Sequence, residues 1–214
     1  MNRESTELFI FDLDGTLVDS SHTVLKIINA IRSELKMSAI THKDALSVLS
    51  LGGADMIAKT IHDSLDVNYY LRYFRLLYMQ DNLNDEKLFD QALTFLNILI
   101  SHGKRLALCS NKPKELVDKV LLHHNLSKYF EFIITGSDVK NKKPSAEGIN
   151  KIINSASVNR KKVIMIGDST VDQIAAKNAE IKFLFFEGGY NDGVDPERVD
   201  FKFSNYENLL GLFK

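Results

Sequence analysis

The chain has 214 residues, a length that suits one domain or a domain with a modest insertion and excludes a large multidomain assembly. Its 27 basic and 28 acidic residues give a formal net charge of -1, which excludes a global attraction to nucleic-acid polymers or anionic membranes. Small partners are therefore expected. Apolar runs such as residues 93–100 are far shorter than the roughly 20 residues that span a bilayer, which predicts a soluble protein without a membrane partner.

The cysteine content indicates a compartment. Cys109 is the single cysteine and cannot form an internal disulfide. Glu4 and Glu7 precede any long apolar run, unlike the start of a secretory signal. We therefore expect a reducing, cytoplasmic location.

Five short apolar runs predict buried parallel strands, namely residues 7–11, 105–109, 131–135, 162–166 and 182–186. Segments with helical spacing lie between them, at residues 88–100, 114–124, 147–155 and 170–178. Strands that alternate with helices indicate crossover units. The chain is therefore predicted to be α/β with a mostly parallel sheet.

Residues 20–84 break this alternation, because they carry helical periodicity and no convincing strand. Apolar residues between Val24 and Ile31 mark one helix, and Thr41 with Asp44 resembles a capping box that opens a second. The aromatic-rich residues 69–79 form the last helix. We interpret residues 19–84 as a helical domain inserted into a core of residues 1–18 and 85–214.

Polar residues occupy four positions at or just beyond the carboxyl ends of predicted strands. Open α/β sheets bind their ligands at this edge. The residues are Asp12 with Asp14, Ser110 with Asn111, Lys143, and Asp168 with Asp172. We interpret them as parts of one site.

Asp12 and Asp14 admit two interpretations. An Asp-Gly pair after a strand is typical of a hairpin turn, so this segment could be an ordinary turn. A turn does not explain two carboxylates separated only by Leu13, where like charges are costly unless a cation or a proton resolves the repulsion. Asp172 lies one helical turn after Asp168, so both could face the same site. Hard oxygen ligands without nearby His or Cys favour Mg²⁺ over zinc.

Two other positions have a purely structural alternative. Ser110 could be the N-cap of the next helix, with Pro113 in its first turn, although a hydroxyl at a helix start also suits a phosphate oxygen. In the same way, Asp168 or Ser169 could cap the helix that follows them.

Three segments leave the choice of site residue open. Composition does not separate Lys143 from Lys142, although Pro144 restricts Lys143 to an extended backbone. The aromatic side chains of residues 69–78 are interpreted first as packing within the insertion. Residues 189–193 form either an ordinary turn or a rim of the site.

Four segments match a known pattern. They read DLDGTLVDS over residues 12–20, LCSNK over 108–112, KKP over 142–144 and IGDSTVD over 166–172. With these motifs, the chain resembles the haloacid dehalogenase-like hydrolase superfamily, and within it the phosphoglycolate phosphatase-like members, over essentially its whole length. The resemblance implies a doubly wound, Rossmann-like sheet with an inserted helical cap domain that closes over the site.

The resemblance also implies roles in phosphoryl transfer. Asp12 would be the nucleophile, and Asp14 would protonate the leaving oxygen and then activate water. Ser110, Asn111 and Lys143 would hold the phosphoryl oxygens. The resemblance selects Lys143 over Lys142, because the family lysine directly precedes proline. Asp14, which dehalogenating members lack, favours phosphate esters as substrates.

By the same resemblance, Mg²⁺ is the expected cofactor. Its ligands would be the Asp12 carboxylate, the Asp14 main-chain carbonyl and Asp168. The supporting residues would be Thr16, Ser169 and Asp172.

Substrate choice is expected to depend on the helical segment. Gly52 and Gly53 precede a helix and would expose main-chain donors. Arg72 and Arg75 share a helix face that could meet an anionic group, although solvated helix arginines are commoner.

These observations predict a magnesium-dependent phosphomonoester hydrolase that acts on a small phosphorylated metabolite through an aspartyl-phosphate. Phosphoglycolate, a sugar phosphate or a nucleotide monophosphate are the possible substrates. One alternative is a sugar phosphomutase of the β-phosphoglucomutase type. Another is a non-catalytic binding or regulatory protein, which predicts a missing catalytic group, and none is missing. The sequence does not distinguish a monomer from a dimer.

Overall fold

The computed structural model describes residues 6–49, 53–61 and 66–211. Within them the strands are β1 Leu8–Phe11, β2 Val18–Asp19, β3 Lys87–Leu88, β4 Arg105–Cys109, β5 Phe132–Ile134, β6 Val163–Gly167, β7 Lys182–Phe186 and β8 Phe201–Phe203. Six of these strands form one sheet in the order β5-β4-β1-β6-β7-β8, and every neighbouring pair is parallel. β2 and β3 form a separate antiparallel pair.

β1 lies at the centre of the sheet, and all four of its residues are fully buried. Phe9 and Phe11 pack into the hydrophobic cluster on one face of the sheet, whereas Leu8 and Ile10 pack into the cluster on the other. Successive side chains of a strand point to opposite faces, so a strand covered on both faces is apolar throughout. This explains the uninterrupted run LFIF.

Helices cover both faces of the sheet. They are α1 Ser21–Glu34, α2 His42–Leu49, α3 Gly53–Thr60, α4 Val67–Gln80, α5 Ala92–Ser101, α6 Lys114–His123, α7 Glu147–Ala156, α8 Thr170–Asn178 and α9 Glu207–Leu210. α5, α6 and α9 contribute to the cluster that contains Phe9, and α7 and α8 contribute to the cluster that contains Leu8. The predicted doubly wound α/β fold is confirmed.

Helices α1 to α4 lie between β2 and β3, and we call residues 20–86 the helical insertion. α1 packs against α2 and α4, α3 packs against α4, and α4 contacts α6 of the core. Lys119 of α6 donates hydrogen bonds to the main-chain oxygens of Tyr78 at 3.1 Å and Met79 at 2.6 Å, and also to that of Asp81. A cation suits the carbonyls at the C-terminus of a helix, so Lys119 fixes the end of α4 to the core.

The predicted bounds of β4, β7 and α8 agree with the structure, and those of the other predicted core elements differ by one residue at one or both ends, except at the start of α5. The helix predicted from residue 88 begins at Ala92, because Leu88 pairs with Val18 in the β2–β3 ribbon and Gln91 adopts a left-handed backbone with φ 62. β8 was not predicted, since it has only three residues and Lys202 at its centre is exposed. Across the described residues, no helix has the length and apolar character needed to cross a membrane.

Candidate active site

A cavity of about 340 Å³ lies at the carboxyl edge of the sheet. Asp12, Ser110 and Asp168 line it from the ends of β1, β4 and β6, and Phe74 and Arg75 line it from α4 of the insertion. β4 and β6 flank β1 on opposite sides, so the cavity lies at the point where the strand order reverses. Parallel α/β sheets bind their ligands at this position.

Lys143 joins two carboxylates at the floor of the cavity. Its Nζ atom lies 2.8 Å from Asp12 Oδ1 and 2.7 Å from Asp172 Oδ1, and its side chain is almost completely buried. Although burial opposes the charged ammonium, the Asp12 and Asp172 carboxylates hold the pKa of Lys143 above its usual value. The lysine that precedes proline is therefore the one that reaches the cavity floor.

Asp168 is held by two donors. Thr16 Oγ1 donates to Oδ1 at 2.8 Å, and the main-chain N–H of Tyr190 donates to Oδ2 at 2.8 Å. A Cβ atom on Gly15 would lie 2.2 Å from Asp168 Oδ2, and one on Gly189 would lie 2.4 Å from Asp168 Cβ. Both glycines are needed because the backbone passes this close to the carboxylate.

Asp172 serves two functions in the local structure. Its Oδ2 atom accepts from Ser169 Oγ at 2.7 Å, and Ser169 is the N-cap of α8 in a capping box with Asp172. Ser169 is thus the helix cap, one of the two alternatives left open by the sequence. Because Oδ1 of the same carboxylate receives Lys143, the cap also positions the lysine.

The charge at the cavity floor is unbalanced. Burial, together with the Asp172 and Asp14 carboxylates, raises the pKa of Asp12 to about 7 against the opposing effect of Lys143. Burial, and then repulsion from Asp172 and Asp12, raises the pKa of Asp168 well above its ordinary value. Three carboxylates therefore face one lysine.

This donor set fits a divalent cation. Carboxylate oxygens of Asp12, Asp168 and Asp172 all lie within 4.8 Å of one another. Hard oxygen donors are the ligands that Mg²⁺ and similar cations prefer, and a cation would remove the repulsion that raises the pKa values. Metal-site residues predicted from two separate strands are thus brought together.

Asp14 lies at the wall of the cavity, with a quarter of its side chain exposed. Its Oδ1 atom accepts from Ser20 Oγ at 2.6 Å and from Lys112 Nζ at 2.8 Å. Ser20 Oγ in turn lies 2.9 Å from the hydroxyl of Tyr190. The Asp14 carboxylate is therefore oriented from two sides.

Ser110 is buried at the end of β4 and lines the cavity. It is not the helix cap, because Pro113 occupies the N-cap position of α6 and the Ser110 hydroxyl accepts instead from the Lys112 N–H at 3.2 Å. The Asn111 side chain donates to the Lys143 carbonyl and accepts from the Lys143 N–H, both at 2.8 Å. Asn111 thus clamps the backbone of Lys143.

The candidate specificity residues are only partly brought together. Gly53 and Arg75 line the cavity, and Gly53 opens α3 with φ +52. Arg72 is exposed and does not line the cavity, although it lies less than one turn from Arg75 on α4. Gly52 lies outside the described residues.

Four residues that bond at the site were not predicted individually. Ser20, the last residue of the first motif segment, bonds Asp14. Lys112 bonds Asp14, and its place directly after Ser110-Asn111 was the available signal. Tyr190 lies at the rim, one of the two alternatives for residues 189–193. Tyr78 was interpreted as packing, yet its hydroxyl accepts a hydrogen bond from Lys112 at 2.8 Å.

The family model for haloacid dehalogenase-like hydrolases matches residues 9–186. The chain belongs to this family. The match includes all four motif segments and the whole helical insertion, so the membership inferred from the motifs is confirmed.

Curated relatives indicate the enzyme class. The phosphoglycolate phosphatase of Vibrio cholerae is 30% identical over 199 residues, which cover 89% of this chain and 88% of that protein. The phosphoglycolate phosphatase of Colwellia psychrerythraea is 30% identical over 222 residues, which cover 98% of each chain. The predicted class, a hydrolase of the phosphatase type, is confirmed.

Solved structures agree on the fold. A predicted phosphoglycolate phosphatase from Haemophilus somnus superimposes with a TM-score of 0.90 at 22% identity, covering 98% of this chain and 99% of that one. CbbY from Rhodobacter sphaeroides, solved in complex with phosphate, gives a TM-score of 0.77 at 20% identity and covers 95% of this chain and 96% of that one. These likenesses show that the chain shares its fold with both proteins.

Proposed function

We propose that this phosphatase is magnesium-dependent and removes phosphate from a small phosphorylated metabolite through an aspartyl-phosphate on Asp12. One observation carries the proposal: carboxylate oxygens of Asp12, Asp168 and Asp172 lie within 4.8 Å of one another on the floor of one cavity, where the ammonium of Lys143 bonds Asp12 and Asp172. Phosphoryl transfer mainly requires positioning and positive charge around the phosphoryl oxygens. The floor positions the reacting groups, Lys143 supplies one positive charge, and the proposed Mg²⁺ would supply the rest.

Asp12 is the proposed nucleophile. A carboxylate that attacks phosphorus divides a slow hydrolysis into two easier steps, formation and hydrolysis of the acyl phosphate. Lys143 and Ser110 hold the phosphoryl oxygens. Asn111 contributes by fixing the backbone of Lys143, because both polar atoms of its side-chain amide bond to that residue.

Asp14 is the proposed acid and base. In the first step it gives a proton to the oxygen of the leaving group, and in the second it takes a proton from the attacking water. Its position at the cavity wall, oriented by Ser20 and Lys112, supports this assignment.

The proposed Mg²⁺ ligands are the carboxylates of Asp12 and Asp168 and the main-chain carbonyl of Asp14. Bound there, the cation would neutralise charge on the transferring phosphoryl group. Thr16 orients Asp168 by its hydrogen bond, and Ser169 orients Asp172.

Residues 19–84 are the proposed cap, which contains all four helices of the helical insertion. Residues of α3 and α4 form a wall of the cavity, so closure of these helices would exclude water from the reacting groups. A cytoplasmic location, expected from the cysteine content, remains a prediction.

Phosphoglycolate or a related small phosphorylated acid is the proposed substrate. The relatives named above are phosphoglycolate phosphatases. Arg75 lines the cavity, and burial together with Arg75 lowers the pKa of the neighbouring Lys142. Two cations on one side of the cavity suit a leaving group that carries its own negative charge.

Phosphate release across a panel of phosphorylated acids, sugar phosphates and nucleotide monophosphates, with MgCl₂ and with EDTA, tests the proposal. We expect magnesium-dependent release, fastest for a phosphorylated acid, and none from Asp12→Asn. Full activity of a folded Asp12→Asn variant would refute the nucleophile assignment. Conversion of one sugar phosphate isomer into another without phosphate release would favour a mutase.

A further inference from the structure

A buried chain of polar side chains connects α4 of the insertion to Asp14. It consists of Glu86, Tyr78, Lys112 and Asp14, which we call the polar chain. Lys112 Nζ donates to Asp14 Oδ1 and to the Tyr78 hydroxyl, both at 2.8 Å, and the Tyr78 hydroxyl donates to Glu86 Oε1. Tyr78 is fully buried and Glu86 almost so.

Each contact fixes the next. Glu86 Oε2 has no hydrogen-bond partner within the described residues and lies 3.9 Å from His124 Nε2. The hydrogen bond from the Tyr78 hydroxyl is therefore the close polar contact of the buried Glu86 carboxylate. Breaking this bond would leave the carboxylate charge unpaired. Glu86 thus orients the Tyr78 hydroxyl.

Tyr78 in turn restrains Lys112. The lysine Nζ atom lies 4.3 Å from the centre of the Tyr78 ring as well as within hydrogen-bond distance of its hydroxyl, and only a tenth of the lysine side chain is exposed. Burial and the Asp14 and Glu86 charges raise the pKa of Tyr78, so its hydroxyl keeps the proton that it donates. These contacts and burial restrict the Lys112 side chain to one rotamer, so its contact with Asp14 costs little additional side-chain entropy.

We propose that Tyr78 and Glu86 are positioning residues which, through Lys112, hold Asp14 in the orientation needed to protonate the leaving group. This rests on the proposed function, because it takes Asp14 as the acid. The polar chain itself transfers no proton. Since Tyr78 belongs to α4 and Lys112 to the loop after β4, Tyr78 restrains Lys112 against Asp14 only when α4 is seated on the core.

The test compares two phosphate esters. An alkyl ester leaves as a basic alkoxide and needs the acid, whereas p-nitrophenyl phosphate has a leaving group that departs without a proton. The ratio kcat/KM reports the steps up to formation of the aspartyl-phosphate, and a positioned acid accelerates such steps by about 10²–10⁴-fold. A displaced Asp14 therefore slows the alkyl ester selectively.

For Tyr78→Phe we expect kcat/KM to fall about tenfold for an alkyl phosphate and less than about twofold for p-nitrophenyl phosphate. Tyr73→Phe is the matched control, because Tyr73 lies on the same helix and its hydroxyl bonds the surface residue Glu34 instead. It should leave both values unchanged.

A second variant removes the problem of an unpaired charge. Tyr78→Phe with Glu86→Gln deletes the hydroxyl and the buried carboxylate charge together, so it should fold even where the single variant is unstable. It should show the same selectivity for the alkyl ester. Equal losses for both esters, or no loss, in a variant with native circular dichroism would overturn the proposal.

The controls separate this proposal from the proposed function. Wild-type protein that releases no phosphate from either ester, or an active Asp12→Asn variant, counts against the proposed function. An active wild type whose Tyr78 variants lack ester selectivity counts only against the polar chain.

Discussion

The ammonium of Lys143 lies 2.7 Å from Oδ1 of Asp172, and the side chains of both residues are buried. Lys143→Met would leave the Asp12 and Asp172 carboxylates without their cation. We expect a loss of about 3–5 kcal/mol in the free energy of unfolding in EDTA, because removing one partner of a buried ion pair leaves the other charge buried without compensation. Urea denaturation measures it, and the loss should be smaller with excess MgCl₂.

Lys140→Met provides the control for that prediction. Lys140 is an exposed lysine of the same loop, and its main chain rather than its ammonium bonds Glu147. Stability and phosphatase activity should stay unchanged. A stable, active Lys143→Met variant would show that the buried lysine is dispensable.

Metal binding should stabilise the folded protein. A ligand that binds only the native state raises the free energy of unfolding by mass action. We expect MgCl₂ to raise the Tm of the wild type above its value in EDTA, and to have a much smaller effect on Asp168→Asn. Differential scanning calorimetry measures both. An equal increase in Tm for the two proteins would argue against Asp168 as a ligand.

Three glycine substitutions separate a steric clash from backbone strain. Gly15→Ala combines φ +81 with a Cβ only 2.2 Å from Asp168 Oδ2, Gly103→Ala has φ +68 with open space, and Gly211→Ala has neither problem. A left-handed alanine costs about 1–2 kcal/mol, so Gly103→Ala should lose that stability and keep full activity. Gly15→Ala should lose more stability and most activity, whereas Gly211→Ala should resemble the wild type.

Arg75 and Arg72 form a matched pair for substrate preference. Arg75→Met removes a cation that lines the cavity, and Arg72→Met removes one that does not. We expect Arg75→Met to raise KM for a phosphorylated acid about tenfold, because one charge-assisted contact is lost. KM should change little for an alkyl phosphate whose leaving group carries no charge. Arg72→Met should leave both unchanged. Steady-state kinetics on the two esters would contradict the assignment if the two variants behaved alike.

Cys109 should be chemically silent in the folded protein. It is 3% exposed, and burial raises the pKa of its thiol to about 12. Because the thiolate is the reactive form, we expect no reaction with a thiol reagent at pH 8 until the protein unfolds. Reaction of one equivalent in native buffer would contradict this prediction.

The fold and the carboxylates of the cavity floor could be predicted because both depend on local sequence, whereas the choice of Lys143 over Lys142 follows from the family resemblance. Buried strands leave apolar runs, and the carboxyl ends of parallel strands meet at one edge, so Asp12, Ser110 and Asp168 were placed together without a structure. The structural alternative for Ser110, the N-cap position, is not found, since a turn over Ser110 to Lys112 precedes the helix and leaves Pro113 at the cap.

The polar chain could not be predicted for a different reason. Tyr78 and Lys112 are 34 residues apart and belong to separate elements, so their contact depends on how α4 packs against the core. The helical spacing of the aromatic residues reports only which side of α4 is apolar. The periodicity therefore does not indicate whether a tyrosine hydroxyl on the apolar side of the helix bonds a polar partner.

The ribbon of β2 and β3 has a consequence for how this enzyme can change. Val18 pairs with Leu88 and Asp19 with Lys87, so the two points where the chain leaves and rejoins the core are neighbours in space. Segments with adjacent ends can be replaced without displacing the scaffold that carries them. A different helical segment grafted between Asp19 and Lys87 would meet the same carboxylates and the same lysine. The ribbon thus provides a junction at which a new helical segment can change substrate choice while Asp12, Asp168 and Lys143 are kept, and the new segment must itself supply groups that orient Asp14, as Ser20 and Tyr78 do here.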